Sequence, residues 1–134
     1  MKKLTISLIA FATLSFSFLL PSQDDELAKS MARGKVIYEE KCITCHMENG
    51  QGIPSVFPPL AGSDYLLQKR EAAIHAVKFG QEGEIVVNGT TYNNFMTPPG
   101  LTDAEVADVM NYILNSWGNS GPIVTVDEVA AVKE

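Results

Sequence analysis

The apolar positions divide the chain into an uncharged N-terminal run and a longer part with helical spacing. Lys2 and Lys3 precede a mostly apolar, uncharged segment over residues 4–20. A basic start followed by such a segment is typical of a secretory signal. A stable membrane span needs about 20 apolar residues, and this run is shorter and interrupted by Ser and Thr. We therefore predict a cleaved signal peptide over residues 1–22, with an uncleaved anchor as the alternative, and one domain over residues 23–134.

Within that domain, apolar residues three and four positions apart predict helices. The spacing predicts one helix over residues 24–40 and another from an N-cap at Ser63 to about residue 79. Thr102 and Glu105 form a capping box before a third helix. The apolar face predicted for this third helix consists of Val106, Val109, Met110, Ile113 and Trp117. A second capping box at Thr125 and Glu128 predicts a short last helix.

Gly, Pro and Asn mark the connections between these helices. Residues 49–59 are rich in Gly and Pro, which predicts a loop. Asn88-Gly89 lies at the centre of residues 85–92, where β-branched residues flank it on both sides. An Asn-Gly pair in this setting predicts a two-residue hairpin turn. The chain is therefore expected to fold as a mostly helical domain with one short β-hairpin.

Charge narrows the range of functions. The chain has 10 basic and 16 acidic side chains, a net charge of −6. Removal of residues 1–22 takes away two lysines, so the remaining domain carries 8 − 16 = −8. This acidic balance argues against nucleic-acid binding, which depends on basic patches. It favours solubility and an encounter with a basic partner surface.

The densest chemistry lies in Cys42-Ile43-Thr44-Cys45-His46. A Cys-x-x-Cys-His sequence indicates covalent attachment of haem c, with one thioether from each Cys and His46 as an iron ligand. Three alternatives are weaker. A thioredoxin-like pair needs a βαβ context, a zinc site needs four ligands, and a structural disulfide leaves His46 unexplained.

With this motif, the chain resembles the class I c-type cytochromes over about residues 27–118. Gly34 and Tyr38 stand four residues apart before Cys42, as in the family's N-terminal helix. The resemblance implies that this helix crosses the last long helix at Gly34, with Val109 and Tyr112 as the partners there. It also implies the fold class, an all-α bundle of three to five helices around one covalently bound haem, with a hairpin near residues 85–92.

The resemblance further implies how the haem is held. The carbonyl of Pro58, or alternatively Pro59, accepts a hydrogen bond from the ring of the proximal His46, and Leu60 packs on the haem. Met96, in a Pro-rich loop before the last long helix, is the expected sixth ligand. The sequence departs slightly from the family here, because Thr97 separates Met96 from Pro98. Two alternatives stay open: Met96 as a core residue, and His75 as the ligand.

These observations together predict a one-electron carrier with His/Met-ligated haem c, exported to the periplasm, rather than an enzyme. Its expected partners are redox proteins with a basic docking surface, not nucleic acid. Contact with a membrane is expected only through an uncleaved N-terminal segment or a partner complex. The alternatives are a haem c subunit of a larger oxidoreductase, or an open-site haem enzyme or sensor if Met96 does not bind iron.

Overall fold

The computed structural model describes residues 22–134, so the predicted signal peptide or anchor lies outside the described residues. In residues 22–134, no helix has the length and apolarity required to span a bilayer. The elements are α1 Gln23–Lys41, α2 Ile43–His46, α3 Asp64–Gln68, α4 Arg70–Phe79, β1 Ile85–Val87, β2 Thr90–Tyr92, α5 Asp103–Leu114 and α6 Val126–Ala131. The predicted all-α class is confirmed, but the described part of the chain has six helices rather than three to five.

Two helix predictions need correction. The helix expected from Ser63 to residue 79 is two helices, because Lys69 has φ −116° and ψ 55° and interrupts the helical backbone. The helix expected to include Trp117 ends at Leu114. Trp117 has a φ of 53°, yet it still packs on the core as an aromatic neighbour of Tyr38 and Tyr112. Its apolar surface, rather than helical spacing, therefore determines where it packs.

The predicted caps and turn are largely present. Ser63 accepts a hydrogen bond from the N–H of Leu66, and Thr102 and Glu105 form the complete capping box. Thr125 caps α6, but its box is incomplete, because the Glu128 side chain pairs with Arg70 instead of turning back to the cap. Asn88 and Gly89 both have positive φ, which is the geometry of a type I′ hairpin turn.

The crossing of α1 and α5 forms the centre of the domain. A side chain at Gly34 would collide with the backbone carbonyl of Asp108 and the Cβ of Tyr112. The predicted crossing is therefore present, with Tyr112 as one partner, but the second partner is Asp108 rather than Val109. Val109 is itself buried and faces a cavity described below.

A polar network that the sequence did not reveal joins α1 to α5 and to the C-terminal segment. Asp108 accepts hydrogen bonds from Ser30 at 2.6 Å and from both Nε and Nη2 of Arg33 at 2.6 and 2.7 Å. This pairing raises the pKa of Arg33 above its usual value. Asn111 donates to Ser30 and pairs with both backbone groups of Val124. Because these groups satisfy one another, Ser30, Asp108 and Asn111 can be buried between the helices without an orphan donor or acceptor, while most of the Arg33 side chain stays exposed.

Candidate functional site

A cavity of about 250 Å³ lies between the helices and the two long loops. All six side chains predicted to hold a cofactor line it: Cys42, Cys45, His46, Pro58, Leu60 and Met96. They come from residues 42–46, from the Gly/Pro-rich loop and from the segment before α5. The fold therefore brings into one cavity the thiols, the imidazole and the thioether that the sequence separates.

The single turn of α2 positions the two cysteines. The N–H of Cys42 donates to the carbonyl of Tyr38 at 2.9 Å. Cys42 is therefore both the C-cap of α1 and the N-cap of α2. Cys42 and Cys45 are both half-buried and are not joined by a disulfide. Burial, and then the neighbouring Cys45, raises the pKa of the Cys42 thiol to about 11. Because no disulfide joins them, both sulfurs are available for bonds to another group.

His46 is held in one orientation by the loop that follows it. Its Nδ1 lies 3.0 Å from the carbonyl oxygen of Pro58. A carbonyl oxygen can only accept, so Nδ1–H donates and Nε2 keeps its lone pair. Burial lowers the pKa of the imidazole, while the bond to Pro58 opposes this shift. His46 is thus a neutral ring with Nε2 available for a metal, and Pro58 rather than Pro59 makes the contact.

The Gly/Pro-rich loop folds tightly enough to bring Pro58 to His46. Gly52 donates to the carbonyl of His46 at 3.0 Å, and Ile53 pairs with Phe57 in an isolated antiparallel bridge. Gly52 has a φ of +62°, and a Cβ there would collide with the carbonyl oxygens of Phe57 and Pro58. Only glycine therefore permits this close return of the backbone.

Met96 is held through its backbone. Its N–H and C=O pair with those of Gln81 at 2.9 and 3.0 Å. Gly80 has a φ of +88°, and a Cβ there would collide with the Met96 carbonyl. The end of α4 thus fixes the position of residue 96. Sequence reasoning missed this contact, although Gly80, which ends α4, was the available signal.

The alternatives raised by the sequence find little support in this geometry. His75 does not line the cavity; its ring packs at a tilt against Phe79, with 5.1 Å between the ring centroids, beside a separate surface depression. Across residues 22–134, no three His, Cys, Asp or Glu side chains converge as they would around a metal ion. The preceding α1 and the following loop also differ from a βαβ unit.

The cavity suits a large apolar cofactor with an iron centre. Most of its lining is aliphatic, aromatic or Pro, and Lys41 is the one lining residue in the described chain with a formal charge. Two thiols could each form a thioether to the edge of a haem c, and an imidazole with a thioether is one pair of iron ligands that this cofactor uses. Sequence reasoning missed several lining residues, among them Ile85, Val87 and Tyr92, although the period-two alternation of the hairpin places them on one face.

The chain is similar to known cytochromes c. The family model described as cytochrome c matches residues 31–117. Two proteins called cytochrome c-552 from Thermus thermophilus are 42% and 43% identical to the chain, over 70% and 66% of its length and 66% and 71% of theirs. The cytochrome c subunit of a quinone alcohol dehydrogenase from Gluconobacter oxydans is 33% identical over 66% of the chain, but over only 19% of its own length.

Proposed function

The chain belongs to the cytochrome c family, whose cofactor is covalently bound haem c, and on this premise we propose that it is a periplasmic one-electron carrier with His46 and Met96 as axial ligands. In this proposal Cys42 and Cys45 hold the haem through two thioethers. The observation that carries the proposal is the meeting of these four side chains in one apolar cavity, with His46 already oriented by Pro58.

When bound, haem c supplies an iron that changes by one electron between the ferric and ferrous states. The protein side chains would bind the iron, adjust its preference for one oxidation state and exclude water. Pro58 keeps the imidazole in the tautomer whose Nε2 binds metal, which also strengthens it as a donor. The Met96 thioether favours the ferrous state more than a second imidazole would. Apolar neighbours such as Leu60 and Val109 exclude water, which favours the state of lower charge.

Carriage of an electron needs no substrate pocket and no acid–base pair. In the proposal His46 and Met96 would both bind the iron, which would leave no coordination position open for a substrate. The expected activity is therefore transfer between two redox proteins, without chemical change to a third molecule.

The test compares two methionines of the same chain. We expect Met96→Leu to abolish the weak long-wavelength absorption band of a sulfur–iron bond in the ferric protein, and to let carbon monoxide bind the ferrous form. Met110→Leu is the matched control, because Met110 is fully buried in the core and does not line the cavity. A band that survives in Met96→Leu would refute the axial assignment and favour the open-site alternative.

Partner chemistry follows from how the charges are distributed. Residues 23–134 carry a net charge of −8, which supports the proposal of a partner with a basic surface that is steered by long-range attraction. The rim of the cavity is different, because residues 49–63 and 85–102 contain no charged side chain. Phe95 lines the cavity, and the Val56 carbonyl accepts a hydrogen bond from Asn94, which also lines it. The side chains of Val56 and Phe95 are 40% and 60% exposed. The basic surface of the partner would therefore surround the contact rather than form it.

A second function is favoured by the dehydrogenase relatives. Besides the alcohol dehydrogenase subunit, a cytochrome c subunit of a gluconate 2-dehydrogenase from Pantoea cypripedii is 29% identical over 84% of the chain and 28% of its own length. The chain could accordingly serve a larger oxidoreductase as its haem c subunit. Purification from the native cell decides: stoichiometric recovery with a dehydrogenase supports this second function, and recovery as a separate haem protein supports the free carrier.

A further inference from the structure

An ion pair joins the two ends of the segment that carries Met96, residues 80–102. Lys78 lies in the last turn of α4 and Asp103 is the first residue of α5. Their side chains meet at 2.9 Å between Nζ and Oδ1. Residues 80–102, between the end of α4 and the start of α5, form the β-hairpin and then return through Met96. The ion pair therefore joins the two ends of this segment.

The ammonium group of Lys78 lies 5.1 Å from the centroid of the Phe79 ring and donates two further hydrogen bonds. It donates to the backbone carbonyls of Val129 at 3.0 Å and Val132 at 3.4 Å, at the C-terminal end of α6. With Asp103, these contacts account for its three donors, and the side chain is only 15% exposed. Lys78 thus ties together α4, α5 and α6, and the last of these lies beyond residues 31–117, which match the family model.

Within residues 80–102, Met96 is held mainly by its two backbone hydrogen bonds to Gln81, which lies three residues after Lys78. The Lys78–Asp103 pair lies just outside the Gln81–Met96 bridge, so it restrains the two ends of the chain that lead into the bridge. Such a segment opens locally when its closing contacts are broken, at a free energy below that of global unfolding. The Lys78–Asp103 pair adds to the cost of that opening.

We propose that Lys78 is a positioning residue, which keeps the Met96 thioether at the iron by closing the base of residues 80–102. The inference rests on the proposed ligation by Met96. It predicts that loss of the Lys78 side-chain charge makes the sixth coordination position easier to reach, even where the rest of the domain stays folded.

The experiment measures the affinity of imidazole for the ferric holoprotein, together with the sulfur–iron absorption band. We expect Lys78→Met to bind imidazole about tenfold more tightly than the unaltered protein, which corresponds to about 1.4 kcal/mol. Lys35→Met is the matched control, because Lys35 loses the same charge from a pair with Glu39 in which both side chains are more than half exposed. Its imidazole affinity should stay within twofold.

Two more variants keep the inference testable if Lys78→Met folds poorly. Asp103→Asn removes the other half of the pair at a more exposed position and should also raise the imidazole affinity. Lys78→Arg keeps a positive charge at this position and should bind imidazole with the affinity of the unaltered protein. If removal of either charge lowers the thermal midpoint but leaves the imidazole affinity within twofold, Lys78 has only a structural role. If the unaltered protein lacks the sulfur–iron band, the Met96 assignment itself fails, and the inference fails with it.

Discussion

The α1–α5 helix pair and the two loops at the cavity rim hold their residues by different means. The helices are joined by side chains, through the tight crossing at Gly34 and the network around Asp108. The loops, residues 49–63 and 80–102, hold the site mainly by backbone hydrogen bonds, such as those of Gly52 and Gln81. The rim has no charged side chain at residues 49–63 and 85–102, whereas α1 carries charges along its exposed face.

This difference separates stability from function. Disruption of the helix crossing should unfold the whole domain, because both helices contribute to one core. Disruption of a loop contact should release one axial ligand while the core persists. Charge added at the rim should change the rate of close contact with a redox partner. The same charge added on α1 should change only the long-range electrostatic field of the domain.

The largest expected effect is at the helix crossing. Helix propensity alone predicts that Gly34→Ala stabilises the protein by about 1 kcal/mol. The collision with the Asp108 carbonyl predicts instead a loss of about 3 kcal/mol, in the range of overpacked cores. Guanidinium unfolding of the holoprotein shows whether the substitution raises or lowers the free energy of unfolding. Ala32→Gly, at an exposed position of the same helix, is the propensity control and should cost about 1 kcal/mol. A stabilised Gly34→Ala protein would show that the crossing can relax.

The next effect concerns the loop that carries Met96. Gly80→Ala introduces both positive-φ strain and a collision with the Met96 carbonyl. We expect it to weaken the sulfur–iron band and to cost about 2 kcal/mol of unfolding free energy, within the range for strained residues. Gly83→Ala is the matched control, since Gly83 has a φ of +84° with no atom near the added Cβ. It should cost stability and leave the band intact; equal loss of the band in both variants would contradict the contact with Met96.

A smaller effect tests the uncharged rim. Val56→Glu and Val36→Glu both change the net charge of residues 23–134 from −8 to −9, at positions 40% and 54% exposed. Electron self-exchange between two copies reports on rim-to-rim contact. We expect Val56→Glu to slow it about tenfold, because like charges would face each other at close range, and Val36→Glu to slow it less than twofold. Equal slowing would mean that net charge alone governs the encounter.

The smallest effect is a dependence of stability on pH at the C-terminal segment. Arg70 pairs with Glu128 through two hydrogen bonds and lowers the pKa of that carboxyl below its usual value. A carboxyl whose pKa is lowered by folding adds stability above its unfolded pKa and loses it as the pH falls through its folded pKa. The stability difference between the unaltered protein and Glu128→Gln should therefore be present at pH 7 and vanish in acid. In an Arg70→Met background, Glu128→Gln should have little further effect at any pH.

Much of the domain follows from local sequence. The Thr102 capping box, the Ser63 cap and the Asn88-Gly89 turn depend on residues within a few positions of one another. Their geometry is therefore set by backbone preferences and by hydrogen bonds between near neighbours in the chain. For this reason the sequence alone predicted these features. The six residues expected to hold the haem were predicted on other grounds. Motif spacing indicated Cys42, Cys45 and His46, and the family resemblance implied Pro58, Leu60 and Met96.

The remaining features depend on residues far apart in the chain. The break at Lys69, the position of Trp117, the Asp108 network, the Gln81–Met96 bridge and the Lys78–Asp103 pair all needed the tertiary structure. A buried polar side chain such as Asp108 reads in sequence as a solvated charge until its partners Ser30 and Arg33 are brought beside it. The sequence by itself thus determined the cofactor motif and most elements, because these are local. Tertiary packing decided how the cavity is closed and how Met96 is held, because those contacts join residues that only folding brings together.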